Sequence, residues 1–406
     1  MLEAAHTARC RRSSSRSSVR RLGVVAVGLV IAVVLTGCGA ESRRGGSASA
    51  TDSTSSSAPP SATSAPPTAA SAPSSRLGLT CSELLPETIV ASTVAPGLAA
   101  VEFTANPGYA TPAAYSIGQR GGTACAASNG VVPEPGGTAP GYRGVTLLIL
   151  PDSVGQWERY ATMYASALST VTATYGEAGG VQCFSRGNDS SCTANILAHG
   201  AWIELEMQGI EVASDVDDRG VAARVQPLLE AVVGRVSSAP AAGPLWQPSA
   251  DTAALPADCS YATAAEVADA LTVSGVSIGG DGGSGGGWSL LAAATEDAEV
   301  DRCLWFLEDE TTFVGYLAAL HGGAWAFDRA AELLGPEGSL QVVEEPIVGV
   351  DRATFGCGFH IGCSLDAVID GNWVRLNAEP SPESNVDEVK AKLIVLVGHV
   401  AGRING

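Results

Sequence analysis

The sequence predicts an α+β protein made of two tandem homologous domains, each a mainly antiparallel sheet packed with helices and held by two disulfides. Three observations carry this reading. Beyond Cys10 and Cys38, the cysteines fall into two sets of four: Cys81, Cys125, Cys183, Cys192 and Cys259, Cys303, Cys357, Cys363. Cys81 to Cys125 and Cys259 to Cys303 both span 44 residues, and the close pairs are 9 and 6 residues apart. Strings between the cysteines also correspond. Trp157-Glu158-Arg159 parallels Phe327-Asp328-Arg329, Trp202-Ile203-Glu204-Leu205 parallels Trp373-Val374-Arg375-Leu376, and Gly234-Arg235-Val236 parallels Gly402-Arg403-Ile404. Finally, both halves carry the same order of helical and strand patterns, the mark of a duplicated unit. The boundary falls in the Ser/Ala/Pro/Gly stretch 237–248, giving domains over 76–238 and 239–406.

Taken in order, each half opens with a helix after its first cysteine, clearest at 264–271. A strand surrounds the second cysteine, as in Arg302-Cys303-Leu304-Trp305-Phe306. An apolar strand follows at 145–150 and 313–319, then a helix at about 154–173 and 324–334. Two strands surround the close cysteine pair, and the second alternates from Trp202 to Met207 and from Trp373 to Leu376. The last element is an amphipathic helix over 215–236 and 385–403. Val225, Leu228, Leu229, Val232 and Val236 in one, and Val389, Leu393, Leu396, Val397 and Val400 in the other, recur at helical spacing. Helices mixed with hairpin-linked strands predict helices packed on a sheet, with a core in each domain. Four cysteines allow three connectivities. The repeated long spacing and the short hairpin spacing favour Cys81–Cys125, Cys183–Cys192, Cys259–Cys303 and Cys357–Cys363. Each longer bridge contributes about 3–4 kcal/mol in the chain-entropy model.

Residues 1–37 have the plan of a secretory signal. Arg9, Arg11, Arg12, Arg16, Arg20 and Arg21 precede an apolar run over 22–35. That run falls short of the roughly 20 residues that span a bilayer core. Its end, Leu35-Thr36-Gly37-Cys38, resembles the bacterial lipobox. The resemblance implies a diacylglyceryl group on the Cys38 sulfur and cleavage before Cys38, which would discard Cys10. An uncleaved signal anchor is the competing reading. Two acyl chains, palmitate among them, anchor stably where one does not. The expected location is the outer face of a bacterial cell membrane, with the membrane as partner through Cys38. An exported chain is also where disulfides persist. Residues 38–75, almost wholly Ser, Ala, Thr, Pro and Gly, read as a disordered, somewhat extended tether.

Asp258-Cys259-Ser260 followed by Ala264-Ala265-Glu266-Val267, with Cys303-Leu304-Trp305 after a Gly-rich stretch, resembles a domain of unknown function found in actinobacterial lipoproteins. It is similar also to the two-disulfide extracellular sensor domains of some actinobacterial serine/threonine kinases. The first half departs from the pattern, with Ala127 where the second has Trp305. The resemblance implies fold and compartment and carries over no activity.

The chemistry-bearing residues are sparse. The formal charge of -19 argues against nucleic acid as a partner, because phosphate contacts need a basic footprint. The second domain holds most of that excess. Two strings match the Gly-x-Ser-x-Gly elbow, around Ser277 and Ser284, but a helix precedes them and a Gly-rich loop follows. Cys357-Gly358-Phe359-His360-Ile361-Gly362-Cys363 offers metal-ligand types, yet the corresponding 183–192 segment has no His, so a disulfided hairpin is the better reading. His199, His321 and His399 have no counterparts in the other half. The acidic runs Glu296-Asp297, Glu299, Asp301 and Glu308-Asp309-Glu310 lack EF-hand spacing and read as a solvated face. Trp202 and Trp373 share a strand position and read as packing residues, with a ligand-stacking platform as the alternative. No catalytic residue, metal or cofactor is assigned. The expectation is a non-enzymatic surface lipoprotein that binds or senses an unidentified envelope ligand or protein. An envelope hydrolase, and a lipid or lipoprotein carrier with an apolar cavity, are the alternatives.

Overall fold

The first copy runs α1 (Cys81–Leu84), α2 (Glu87–Thr93), β1 (Val101–Glu102), α3 (Pro112–Gln119), β2 (Thr123–Ser128), β3 (Gly144–Leu150), α4 (Val154–Met163), α5 (Ala165–Leu168), β4 (Ala173–Thr174), β5 (Ala178–Phe184), β6 (Ser190–Ala198), β7 (Ala201–Ile210) and α6 (Asp218–Ser238). The second runs α7 (Ala264–Leu271), β8 (Val276–Gly280), α8 (Leu290–Asp297), β9 (Asp301–Leu307), β10 (Phe313–Leu320), α9 (Ala324–Leu334), β11 (Gln341–Val342), β12 (Arg352–Cys357), β13 (Cys363–Ile369), β14 (Asn372–Ala378) and α10 (Val386–Ile404). These elements come from a computed structural model that describes residues 72–131, 141–280, 287–307, 312–335, 340–358, 362–379 and 385–406. The signal segment, Cys38, nearly all of the tether, Ser284, 308–310 and His360 lie outside the described residues. No helix among the described residues is long and apolar enough to cross a membrane.

Each copy forms one antiparallel sheet, and the two sheets have the same strand order. It is β1-β2-β3-β7-β6-β5-β4 in the first and β8-β9-β10-β14-β13-β12-β11 in the second. The central hairpins share one turn chemistry. His199-Gly200 and Asp370-Gly371 each place both turn residues at positive φ, as a two-residue hairpin of type I′ requires. The turn sets the register that pairs Trp202 with Leu197 and Trp373 with Val368. Register in turn decides which side chains face which layer, since a one-residue slip would invert them all.

One face of each sheet is covered by the copy's own C-terminal helix. Leu147, Ile203 and Leu205 pack with the α6 stripe of Val225, Leu228, Leu229 and Val232. Leu365, Val374 and Leu376 pack with Leu393, Leu396, Val397 and Val400 of α10. The expected core in each copy is present. All four disulfides pair as the spacing favoured. Cys183 and Cys192 face each other across β5 and β6, and Cys357 and Cys363 across β12 and β13, with Cα separations of 4.1 and 4.0 Å.

The repeated Gly-Arg string near the end of each copy has a structural use in the second. Thr263 and Glu266 form a capping box at the start of α7, and Arg403 of α10 donates to Glu266 at 2.6 Å. Partial burial pushes the Glu266 carboxyl up, but hydrogen bonds from the Thr263 backbone, Arg403 and the Thr263 hydroxyl outweigh it and hold the group down at about 2. The helix expected over about 154–173 is shorter. It breaks between α4 and α5 at Tyr164, whose hydroxyl accepts from the Trp288 backbone of the other copy.

That contact belongs to a larger arrangement. Helices α3 and α8 occupy the same place in the two copies, just before the second cysteine. They pack against each other, and each crosses onto the other copy's sheet. Leu290, Ala293 and Ala294 of α8 join Leu148, Leu150 and Trp202 of the first copy in one cluster. Ala110 and Tyr115, at and beside α3, join Leu320, Val368 and Trp373 of the second. The second face of each sheet is therefore buried partly by the neighbouring copy.

Candidate functional site

Two tryptophans organise the seam between the copies. Trp202 and Trp373, at matching positions in β7 and β14, are fully buried. An acceptor seven residues upstream takes each indole N–H: Asn195 at 3.0 Å for Trp202 and Asp366 at 2.7 Å for Trp373. Both are packing residues rather than exposed stacking platforms.

Two residues further along each strand the copies diverge. In the first stands Glu204, largely buried, whose carboxylate accepts from the Leu290 N–H at 3.1 Å. It thus caps the start of α8 from the other copy, where the helix presents unpaired N–H groups and a positive dipole end. In the second stands Arg375, which makes a two-pronged contact with Asp366, Nε to Oδ1 at 2.7 Å and Nη2 to Oδ2 at 3.0 Å. Burial would lower the Arg375 pKa, but the Asp366 charge beside it raises it instead.

Glu204 has a testable pH signature. Burial pushes its carboxyl above the ordinary 4.5, against the opposing pull of the Leu290 N–H and reinforced by Glu206. A carboxyl raised in the folded state contributes stability below its unfolded value and loses it as pH rises through the folded value. Glu204→Gln keeps an acceptor for Leu290 and removes the titration. The variant should therefore gain on wild type as pH rises from 4 toward neutrality, read by urea unfolding of both proteins at each pH. Parallel curves would refute this.

The two seams are otherwise unlike. Beside α4, Trp288 fills the space. Arg159 lies 3.6 Å from its ring centre and also pairs with Glu296, while the Trp288 indole donates to the Gln156 carbonyl. Beside α9 the position matching Trp288 is the buried Ala110. Two adjoining clefts of about 760 and 780 Å³ lie beside α9 and share Trp325 and Asp328; both copies line the first, and the second copy with Ala72 lines the second. Trp325 packs edge-on against Tyr115 and Trp246, with ring centres 5.6 and 6.5 Å away. Its Nε1 is buried with no hydrogen-bond partner among the described residues. Arg329 bridges Glu102 and Glu332, and Arg352 holds Asp328 through both carboxylate oxygens. Asp251, Asp351 and Asp370 line the second cleft, are exposed, and make no side-chain ion pair among the described residues.

The other sequence candidates sit elsewhere. Ser277 lies within edge strand β8, its hydroxyl 3.5 Å from the Phe306 carbonyl, with none of the strand-turn-helix geometry of an elbow. His199 is a turn residue, His321 offers its carbonyl to Gln119, and His399 stands 3.5 Å from Glu266. The acidic run near α8 is engaged by neighbours: Glu296 by Arg159, Asp297 by Gln156 and Asp301 by Tyr261. No group of three or more His, Cys, Asp or Glu suited to a metal occurs among the described residues. Trp325, Trp246 and the three free aspartates were not singled out from sequence. Trp246 did carry a signal, since a tryptophan in a Ser/Ala/Pro/Gly boundary is an expensive residue to leave in water.

Searches against protein-family models, curated proteins and solved structures gave no match to this chain.

Proposed function

We propose that this is an exported lipoprotein, anchored through Cys38 to the outer face of a bacterial membrane, that binds a partner in the open seam beside α9. The observation that carries the binding role is the pair of adjoining aromatic-walled clefts beside α9, which share Trp325 and Asp328. Four disulfides support the exported compartment, because such bridges persist outside the reducing cytosol. The two-disulfide lipoprotein resemblance agrees with this compartment.

Two measurements test it. Cys38→Ala should move the protein from the detergent phase to the aqueous phase in cloud-point partitioning; unchanged partitioning refutes the anchor. A photo-crosslinking residue at Thr252, in the second cleft, should form an adduct on intact cells, whereas one at Arg224 on α6 should not. Equal yields at the two positions refute the seam as the binding site.

A further inference from the structure

We infer that the groove formed by the two clefts takes a basic peptide segment, an extended stretch bearing Arg or Lys; this deepens the seam reading above and depends on it. The first argument is charge. Six carboxylates and two guanidiniums line the groove. Arg352 is neutralised by Asp328, and Arg329 is shared between Glu102 and Glu332. That leaves Asp251, Asp351 and Asp370 uncompensated along one stretch of wall. Complementary charge steers and selects a partner more than it adds raw affinity, and this pattern selects for cations.

The second argument is the aromatic pair. Trp246 and Trp325 stand beside the three aspartates, and a guanidinium or ammonium over an indole face gains cation–π attraction, most when desolvated. The third argument separates a peptide from a simple polyamine. Trp325, in the walls of both clefts, keeps a buried indole N–H without an acceptor among the described residues, and a ligand meets it only where the ring turns toward the groove. A peptide backbone brings carbonyl acceptors together with its cationic side chains, whereas a protonated polyamine brings donors only. The groove's two adjoining compartments also suit a chain that runs through both rather than one compact ion. Leaving a buried donor unmet costs about 1–3 kcal/mol, so a ligand that meets it gains selectivity as well as affinity.

The test uses the full-length chain in detergent. It is titrated with an acetylated, amidated hexapeptide alternating Arg and Ala, with the same peptide carrying Glu for Arg, and with spermidine. Heat of binding and tryptophan emission are followed at low and high ionic strength. The Arg peptide should bind saturably and weaken with salt, the Glu peptide should not bind, and spermidine should bind more weakly than the Arg peptide. Asp251→Asn, Asp351→Asn and Asp370→Asn together should lower affinity for the Arg peptide about tenfold. All three residues are exposed, so the melting temperature should hold. Trp325→Phe keeps a ring and removes the indole N–H, and should narrow the gap between the Arg peptide and spermidine. Unchanged affinity in the triple variant, equal binding of the Glu peptide, or spermidine as tight as the Arg peptide each overturns the inference. Crosslinking at Thr252 without any binding of the Arg peptide would sink the ligand class and leave the seam standing; loss of both would sink the two together.

Discussion

Asp366→Ala should cost the protein about 3–5 kcal/mol, the range for leaving one partner of a buried ion pair alone. Asp366 is 2% exposed and accepts three charged or polar donors: Arg375 Nε at 2.7 Å, Arg375 Nη2 at 3.0 Å and Trp373 Nε1 at 2.7 Å. Alanine strands a guanidinium and an indole N–H in the same buried place. The decisive comparison is with Asp366→Asn/Arg375→Met. The first copy already keeps its tryptophan on an asparagine, Asn195, at the matching position. The double variant restores that acceptor and removes the charge, so most of the lost stability should return. Urea unfolding of wild type, both single variants and the double gives the coupling. A single Asp366→Ala change within about 1 kcal/mol of wild type would mean the pair is dispensable.

The second large effect concerns the two copies as units. Residues 76–238 and 239–406, produced separately, should each expose the apolar face that the other covers. For the second copy that face includes Leu320, Phe327, Val368 and Trp373, and for the first it includes Leu148, Leu150 and Trp202. Each half retains its own C-terminal helix and both disulfides, so neither should be a random coil. Each should instead bind an apolar dye, melt well below the intact chain, and form a one-to-one complex when mixed with the other. Separate halves that melt where the intact chain does, with no dye binding and no complex, would show that the seam is superficial. A variant such as Ala293→Leu in the full chain provides a second reading. It crowds the fully buried contact between α8 and its neighbours and should cost about 1–3 kcal/mol.

The sequence was most informative where covalent or periodic constraints repeat. Cysteine spacing is a nearly discrete signal, so two equal intervals disclosed both the duplication and the bridges. The C-terminal helices α6 and α10 bury one stripe each, and their 3–4 spacing shows through. Helices α3 and α8 left no such trace. Leu290-Leu291-Ala292-Ala293-Ala294 is an unbroken apolar run, packed against α3 and the first copy's sheet, and the polar residues of α8 come only at its end. A run of five apolar residues offers no alternation for periodicity to read. The groove was hidden for another reason. Its residues come from the boundary stretch (Trp246), a loop (Asp251), helix α9 (Trp325), a strand start (Asp351) and a hairpin turn (Asp370). Only the fold brings such distant positions together. The boundary stretch itself is also less of a spacer than its composition implies. The Gly243 N–H donates to the Arg76 carbonyl, and the Arg76 side chain donates back to the Gly243 carbonyl and reaches Asp152.

The exchange of α3 and α8 has a further consequence when viewed as symmetry. Two identical chains meeting in this way would form an isologous interface, in which every substitution appears twice and every cleft has a twin. Covalent fusion lifts that constraint. It also replaces a concentration-dependent association by an intramolecular one, so neither seam must hold the assembly together unaided. Glu204 could then become acidic where its counterpart Arg375 is basic, and Trp288 could stand where the other copy has Ala110. Duplication within one chain thus lets the two sides of a twofold scaffold become unlike.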